Sequence, residues 1–280
     1  MKFQLKALAA AMVLVAAVPA HAALDYATGN NSMTIAVFDR VANVSALFDL
    51  GKSYSDFSVI GTSFADSNVD AEGTNFSWDL TSGDYATAWS TFTGLTTAAN
   101  WQFAVIGTDN AGNGVGQRGL ISTLNQPTVT AITTNPLGAQ ITTWDNYLSN
   151  NTIDLSVIYQ NHGTVFNPTG VADGGSVGNV GLGSVLNYFG GGKANGGSNS
   201  VVVGNVGQSL AVYQNVIGSS NFGPTASTIF GNNAAFTFTA NGALTYTTND
   251  IVAEVPEADT WAMMLLGLGF MGFAARRKQA

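Results

Sequence analysis

The sequence predicts an all-β body, arranged as a sandwich or jelly roll, with one or two short helices. Strand-favouring β-branched and aromatic residues alternate with polar ones in several short runs. Turn-forming Gly, Asn and Ser separate these runs. Charged side chains make up only 9% of the 280 residues, and Gly alone contributes 33. The chain is long enough for one large β domain or two small ones, with a substantial core.

The strand predictions follow the alternation of apolar and polar residues. Residues 33–38 are expected to form the first strand, and residues 44–50 are expected to be its hairpin partner. Residues 57–60 are short and apolar and are also expected in a strand. The strands that follow are expected at residues 76–80, 101–106, 119–124 and 153–159. Residues 108–116, which are rich in Gly and Asn, are expected to form a loop.

Two segments show helical spacing instead. In residues 82–92, Tyr85, Trp89 and Phe92 fall on one face of a helix, and Gly94 can end it. A similar spacing of apolar residues predicts a second helix over residues 138–149. These are the short helices of the predicted fold.

The clearest local signal is a hairpin near the end of the body. Residues 235–240 and 243–247 each alternate with period two, and Asn241-Gly242 between them suits a type I′ turn. Residues 170–208 differ, since Gly, Asn and Ser dominate there. We expect this stretch to be a long flexible loop or a set of very short strands.

The first 22 residues have the pattern of a secretory signal peptide. Lys2 and Lys6 precede an apolar region at residues 7–18, and Ala20-His21-Ala22 supplies the small-residue cleavage pattern. We expect signal peptidase to cleave after Ala22. The exported body then spans residues 23–248, followed by a short spacer at residues 249–254.

Residues 255–280 combine a short polar motif, an apolar segment at residues 261–275 and the basic end Arg276, Arg277 and Lys278. As a helix, the apolar segment would span about 22 Å, against a hydrocarbon core of about 30 Å. This length suits a processed signal better than a lasting anchor. The basic end should stay on the cytoplasmic side, which places the body outside the inner membrane.

The tail resembles the PEP-CTERM sorting signal of exopolysaccharide-producing Gram-negative bacteria. Pro256 and Glu257 match the first two positions of the family's Pro-Glu-Pro tripeptide, and Ala258 departs from the third. The resemblance implies recognition of these three residues by an exosortase-like membrane protease, which supplies the catalytic groups. It also implies delivery to the cell surface or extracellular matrix, with exopolysaccharide as a hypothetical partner. The alternative is a permanent single-span anchor.

Outside the two signals the chain is strongly acidic. Residues 23–255 contain four basic and fifteen acidic side chains, a formal charge near −11. Such a surface disfavours nucleic acid, whose binding depends on Lys and Arg. The chain has no Cys, which excludes disulfides, thiol catalysis and Cys-based metal sites.

No recognisable catalytic motif or cofactor site lies in the body, so we expect a non-catalytic protein without a resident metal. His162 is the only histidine after the signal peptide, and no serine lies in a G-x-S-x-G context. Two oxygen-rich clusters could hold calcium or be solvated loops. They are Asp66, Asp70 and Glu72, and Asp109, Asn110 and Asn113.

Two other functions stay open. A secreted carbohydrate-binding module would stack tryptophans on sugar rings, and solvent-exposed, coplanar rings would favour it. An extracellular glycoside hydrolase would need two carboxylates about 5–10 Å apart, so a cleft with two buried carboxylates would favour it. The body's tryptophans are Trp78, Trp89, Trp101 and Trp144, and three of these four have spacings typical of core residues.

Overall fold

The computed structural model describes residues 29–42, 44–60, 64–112, 114–125, 134–149, 163–166, 202–217 and 226–249. The predicted signal peptide, the strand at residues 153–159 and the apolar helix of the tail lie outside these ranges, as does most of the Gly-rich stretch. Within the described ranges, no helix has the length and hydropathy needed to cross a bilayer.

The described residues form mostly antiparallel β-strands with a few short helices, so the predicted all-β class is confirmed. The strands are β1 (Ser32–Asp39), β2 (Val44–Ser53), β3 (Asn75–Asp79), β4 (Trp101–Asn110), β5 (Arg118–Leu124), β6 (Gly163–Phe166), β7 (Gly204–Asn205), β8 (Ser209–Val216), β9 (Ala226–Ile229), β10 (Ala235–Phe238) and β11 (Ala243–Thr247). The helices are α1 (Tyr54–Phe57), α2 (Ala86–Leu95) and α3 (Thr134–Ser149), with 3-10 turns at Gly83–Tyr85 and Ala98–Asn100.

The eleven described strands join in one sheet, ordered β3-β11-β10-β8-β5-β4-β1-β2-β6, with β7 on β4 and β9 on β8. This sheet curls so that strands near its two ends meet. The indole Nε1 of Trp78, in β3, donates a hydrogen bond to the carbonyl of Leu50, in β2, at 2.8 Å. One continuous sheet therefore provides the facing layers of the predicted sandwich.

The space enclosed by the curl holds an aromatic core. The rings of Phe103 and Phe238, from β4 and β10, lie 5.7 Å apart between centroids. Trp89 of α2 packs against Trp101 at 5.2 Å in a T-shaped arrangement. Burying such side chains stabilises a fold by roughly 1.5–3 kcal/mol each. The predicted helix at residues 82–92 thus exists, as a 3-10 turn followed by α2, because its apolar face completes this core.

The strands in the middle of the sheet are covered on both faces. Every residue of β1 is buried. The helix α3 packs against β4 and β5, and its Leu137, Ile141 and Trp144 are buried. The second predicted helix is confirmed and begins at residue 134, before the expected start. Pro136 is compatible with this start because it lies in the first turn, where its missing N–H has no helical partner.

Two predictions of where strands and loops lie are wrong. Residues 57–60 do not form a strand, because Phe57 is the last residue of the helix α1. The carboxylate of Asp56 accepts a hydrogen bond from the Ser53 N–H at 2.8 Å, which favours this helical turn. The expected loop at residues 108–116 begins as strand, because β4 continues to Asn110 and pairs there with Arg118 of β5.

The predicted hairpin of β10 and β11 is present, with Phe238 opposite Leu244. Its turn is not type I′, because only Gly242 has a positive φ, +86°, and Asn241 does not. The Gly242 N–H donates to the Thr239 carbonyl at 3.0 Å. A β-turn followed by one left-handed glycine is the usual alternative for a slightly longer hairpin loop.

Gly242→Ala should lower the free energy of unfolding by about 1–2 kcal/mol, because alanine is strained in the left-handed region. The added Cβ would also lie 2.7 Å from Thr81 Cγ2. Urea denaturation measures the change. The matched control is Gly94→Ala in α2, where an added Cβ meets nothing within 4 Å and helix propensity should add up to about 1 kcal/mol. Equal effects of the two substitutions would contradict this assignment of the turn.

The side chain of Gln214, in β8, holds the segment that contains α1. It is fully buried. Its Oε1 accepts hydrogen bonds from the N–H groups of Val59 and Ile60, each at 2.9 Å. Its Nε2 donates to the hydroxyl oxygens of Tyr54, at 2.6 Å, and Ser58, at 3.0 Å. The amide therefore uses its full hydrogen-bonding capacity on residues 54–60.

Gln214→Leu should lower the free energy of unfolding by about 2–5 kcal/mol, because several polar groups lose their partner inside the protein. Gln117→Leu is the control, since the exposed Gln117 accepts one hydrogen bond, from the Gly114 N–H. Its cost should stay below about 1 kcal/mol. Thermal unfolding of both variants tests this, and similar losses would show that Gln214 does not hold the segment.

Candidate functional site

The sorting and processing residues predicted from the sequence lie outside the described residues. The same is true of two residues considered for catalysis or calcium binding, His162 and Asn113. The sorting and processing residues are Ala20, Ala22, Pro256, Glu257, Ala258, Arg276, Arg277 and Lys278. The described residues do show the burial and the hydrogen-bond partners of the body's tryptophans, carboxylates and amides.

The four tryptophans considered for sugar stacking are core residues. The indole of Trp101 also donates a hydrogen bond to the Thr96 hydroxyl at 2.8 Å. A stacking platform needs an exposed ring face, and none of these four offers one. Their exposed fractions are 4% for Trp78, 8% for Trp89, 4% for Trp101 and 0% for Trp144.

In the first calcium candidate, two of the carboxylates already accept hydrogen bonds from the protein backbone. Asp66 accepts the Asn68 N–H at 2.8 Å, and Asp70 accepts the Gly231 N–H at 2.8 Å. Glu72 is exposed in the same loop. Across the described part of the chain, no three His, Cys, Asp or Glu side chains come together in a way that could hold a metal ion.

The second calcium candidate is divided by the fold. Asp109 and Asn110 belong to the end of β4 rather than to a loop. Adjacent strand residues point to opposite faces, so these two side chains diverge. Asp109 accepts the Ala111 N–H at 3.0 Å, whereas the Asn110 amide donates to Asp145 of α3 at 2.6 Å.

A buried polar cluster surrounds Asp145, and sequence reasoning did not find it. Its Oδ1 accepts hydrogen bonds from the Asn31 amide at 2.7 Å and the Thr108 hydroxyl at 3.0 Å, and its Oδ2 accepts from Asn110. Asn31 and Asp145 are 114 positions apart. No local spacing signals such a cluster. Its consequence is structural, because it fixes α3 to β4 and to the segment before β1.

Burial raises the pKa of three aspartic acids in the described part of the body. It raises the pKa of Asp49 to about 7, although the Gly51 N–H opposes this. It raises the pKa of Asp109 to about 6, and the negative charge of Asp145 adds to the effect. Burial also raises the pKa of Asp145, against the three hydrogen-bond donors and the positive charge of Arg118.

A polar groove opens where β7 lies against β4, and it has a volume of about 260 Å³. Arg40 follows β1 directly, Gln102 lies in β4 opposite Asn205 of β7, and Asn125 follows β5. The lining contains no carboxylate. It consists of Arg40, Gln102, Asn125, Val203, Gly204, Asn205 and Gln208. The groove was not predicted from the sequence, because its residues come from four separate segments.

The raised pKa values predict that the body loses stability as pH rises from about 4 to about 7. A carboxyl group whose folded pKa exceeds its unfolded value, about 3.9, stabilises the folded state most when protonated. That contribution is lost as the pH passes the folded values of about 6 for Asp109 and about 7 for Asp49. The melting temperature should therefore fall across this range.

Asp49→Asn should flatten the upper part of this pH dependence, because asparagine does not ionise. Asp79→Asn serves as the control and should leave the slope above pH 4 unchanged, because hydrogen bonds from Thr81 lower the pKa of this exposed carboxyl. Calorimetric melting in buffers of equal ionic strength makes the comparison. A melting temperature that rises with pH in the wild-type chain would contradict the prediction.

Comparison with known proteins identifies the tail. Residues 254–278 match the family model described as the PEP-CTERM protein-sorting motif. No curated protein and no solved structure matches the chain. The matched segment includes Pro256, Glu257 and Ala258, so the predicted sorting signal is confirmed. The chain therefore carries a PEP-CTERM sorting motif, which implies an exported protein that is anchored in the membrane before an exosortase-type enzyme processes it.

Proposed function

We propose that this chain is a non-catalytic protein of the cell surface or extracellular matrix, released from its membrane segment by exosortase cleavage. The observation that carries the proposal is the sorting motif at residues 254–278, joined to an acidic body. The motif accounts for export and processing. The body remains outside the inner membrane once the tail has been removed, with the exopolysaccharide of the resembled hosts as a hypothetical neighbour.

The use of carboxylates in the body supports a non-catalytic role. Asp39 is the last residue of β1, and its carboxylate accepts the N–H groups of Val41 at 2.8 Å and Ala42 at 3.0 Å in the turn that follows. It also accepts the Thr97 N–H at 3.1 Å. Burial opposes ionisation, but these three bonds lower the pKa of Asp39. The group is thus held as an ionised acceptor that joins two loops.

A glycoside hydrolase, the third candidate function, would need two carboxyl groups that reach a substrate. Asp109 and Asp145 are buried and raise each other's energy when both are ionised. Three side-chain donors already occupy Asp145, and Asp109 bonds the Ala111 N–H. The polar groove has no carboxylate in its lining. These observations weigh against hydrolysis by the described part of the body.

A secreted carbohydrate-binding module is the second candidate. Because the four tryptophans are buried, they cannot form a platform on which a sugar ring stacks. The observation that favours this candidate is instead the polar groove between β4 and β7, whose side chains are amides and one guanidinium.

The test of sorting follows both ends of the chain in its host. One epitope tag is inserted after residue 22, and a second is added after residue 280. In cells with an active exosortase, the first tag should appear at the surface or in the medium without the second. In cells lacking that enzyme, the two tags should stay together in the membrane fraction.

Variants of the motif sharpen this test. Pro256→Ala and Glu257→Ala should block processing, because they remove the two positions shared with the family tripeptide. Ala258→Pro restores the third family position and should preserve processing, which makes it the matched control. Retention of the C-terminal tag in every strain would instead establish a permanent anchor and overturn the proposal.

A further inference from the structure

Three of the four side-chain amides in the polar groove have orientations set by partners that can only donate. Arg40 Nε donates to Gln102 Oε1 at 2.8 Å, and a guanidinium has no acceptor. Gln102 Nε2 donates in turn to Asn205 Oδ1 at 3.3 Å. The backbone N–H of Asn205 donates to Gln208 Oε1 at 2.7 Å. All three amide oxygens are therefore used within the groove.

This relay leaves the groove with a surplus of hydrogen-bond donors. The terminal amino groups of Arg40 and the side-chain NH₂ groups of Asn205 and Gln208 take no part in the relay. Asn125 is arranged in the opposite way. Its Nδ2 donates to the Val203 carbonyl at 3.1 Å, which leaves its Oδ1 as an acceptor. The groove thus presents one positive charge, several N–H donors and one amide acceptor.

The charge of Arg40 is not neutralised by a described carboxylate. Its hydrogen bond goes to Gln102, and its guanidinium lies 5.0 Å from the centroid of the Phe38 ring. The adjacent Asp39 directs its carboxylate to the N–H groups of Val41, Ala42 and Thr97. The guanidinium is therefore held in place by contacts that leave its charge available to a ligand.

A carboxylate fits this arrangement best. A guanidinium binds a carboxylate through paired, charge-assisted hydrogen bonds, and neighbouring amide N–H groups can donate to the same oxygens. The Asn125 acceptor suits a hydroxyl group on the same molecule. The volume of about 260 Å³ lies just below the usual range of about 300–1,000 Å³ for small-molecule pockets, so a single sugar ring is the appropriate size.

We propose that the groove binds one carboxylate-bearing sugar unit, a uronate, within an extracellular polysaccharide. The rest of the body is acidic, so it disfavours non-specific attachment of a polyanion. Binding would then depend on this groove. The inference does not rest on exosortase processing, because ligand binding and tail cleavage are measured separately.

The test titrates the full-length chain, solubilised in a non-ionic detergent, with a short oligouronate by calorimetry. A neutral oligosaccharide of the same length, the free monomeric uronate and inorganic phosphate form the other arms. We expect saturable binding of the oligouronate and of the monomer, and no binding of the neutral oligosaccharide. Binding of phosphate as tight as that of the uronates would overturn the sugar assignment, as would equal binding of the neutral oligosaccharide.

Three variants place the binding in the groove. Arg40→Gln should weaken oligouronate binding about tenfold or more, since it removes a charged hydrogen-bond donor. Asn205→Asp should weaken it at least as much, because a negative oxygen replaces an NH₂ donor of nearly the same size. Lys52→Gln is the matched control: Lys52 also lies over an aromatic ring, 5.1 Å from the Phe76 centroid, but it does not line the groove.

The control variant should bind like the wild-type chain, and unchanged melting temperatures would show that all three variants fold. Equal losses in Arg40→Gln and Lys52→Gln would reduce the effect to general charge and overturn the proposal. Unchanged binding by Asn205→Asp would move the site away from the groove.

Discussion

The position of residues 54–60 inside the sheet depends on the buried amide of Gln214. An amide without partners is costly to bury, so its position in a central strand requires that the chain supply both donors and acceptors. Residues 54–60 supply all of them. This fixes Tyr54 and Phe57 inside the sheet. Gly119, on the neighbouring strand β5, leaves the room that the Tyr54 hydroxyl occupies, since an added Cβ there would collide with it.

Once this segment is in place, the ends of the sheet have a common surface on which to pack. Phe57 lies 5.8 Å from Phe236 and 5.2 Å from Tyr246 between ring centroids, which joins it to β10 and β11. Trp78, on β3, then reaches the backbone of β2. These contacts link residues far apart in the sequence, and such topologies are formed slowly because long loops must close first.

Sequence periodicity predicted the elements whose pattern is local. The β10–β11 hairpin alternates because one face is buried, and α2 shows its apolar face for the same reason. The strand β8 was not predicted, because it is buried on both faces and includes the polar Gln214 and Asn215. Alternation disappears in such a strand. The helical turn α1 was not predicted, because a single turn is too short to show a period.

The candidate sites divide in the same way. Calcium ligands and stacking tryptophans were inferred from residue type. Side chains of those types also accept hydrogen bonds from distant backbone N–H groups and fill cores, as Asp70 and Trp89 do here. The polar groove could not be predicted from the sequence, because its residues come together only through β-pairing. They include Arg40, Gln102, Asn125 and Asn205.

The sequence by itself determined that this protein is exported and sorted, because processing enzymes recognise short linear motifs such as the one containing Pro256 and Glu257. Only the tertiary structure decided which polar side chains are buried and hydrogen-bonded within the protein and which remain available to a ligand. The physical reason is that hydrogen-bond capacity is a property of the residue, whereas its use depends on partners. For Gln214 those partners lie more than 150 positions away, and they become neighbours only when the sheet has formed.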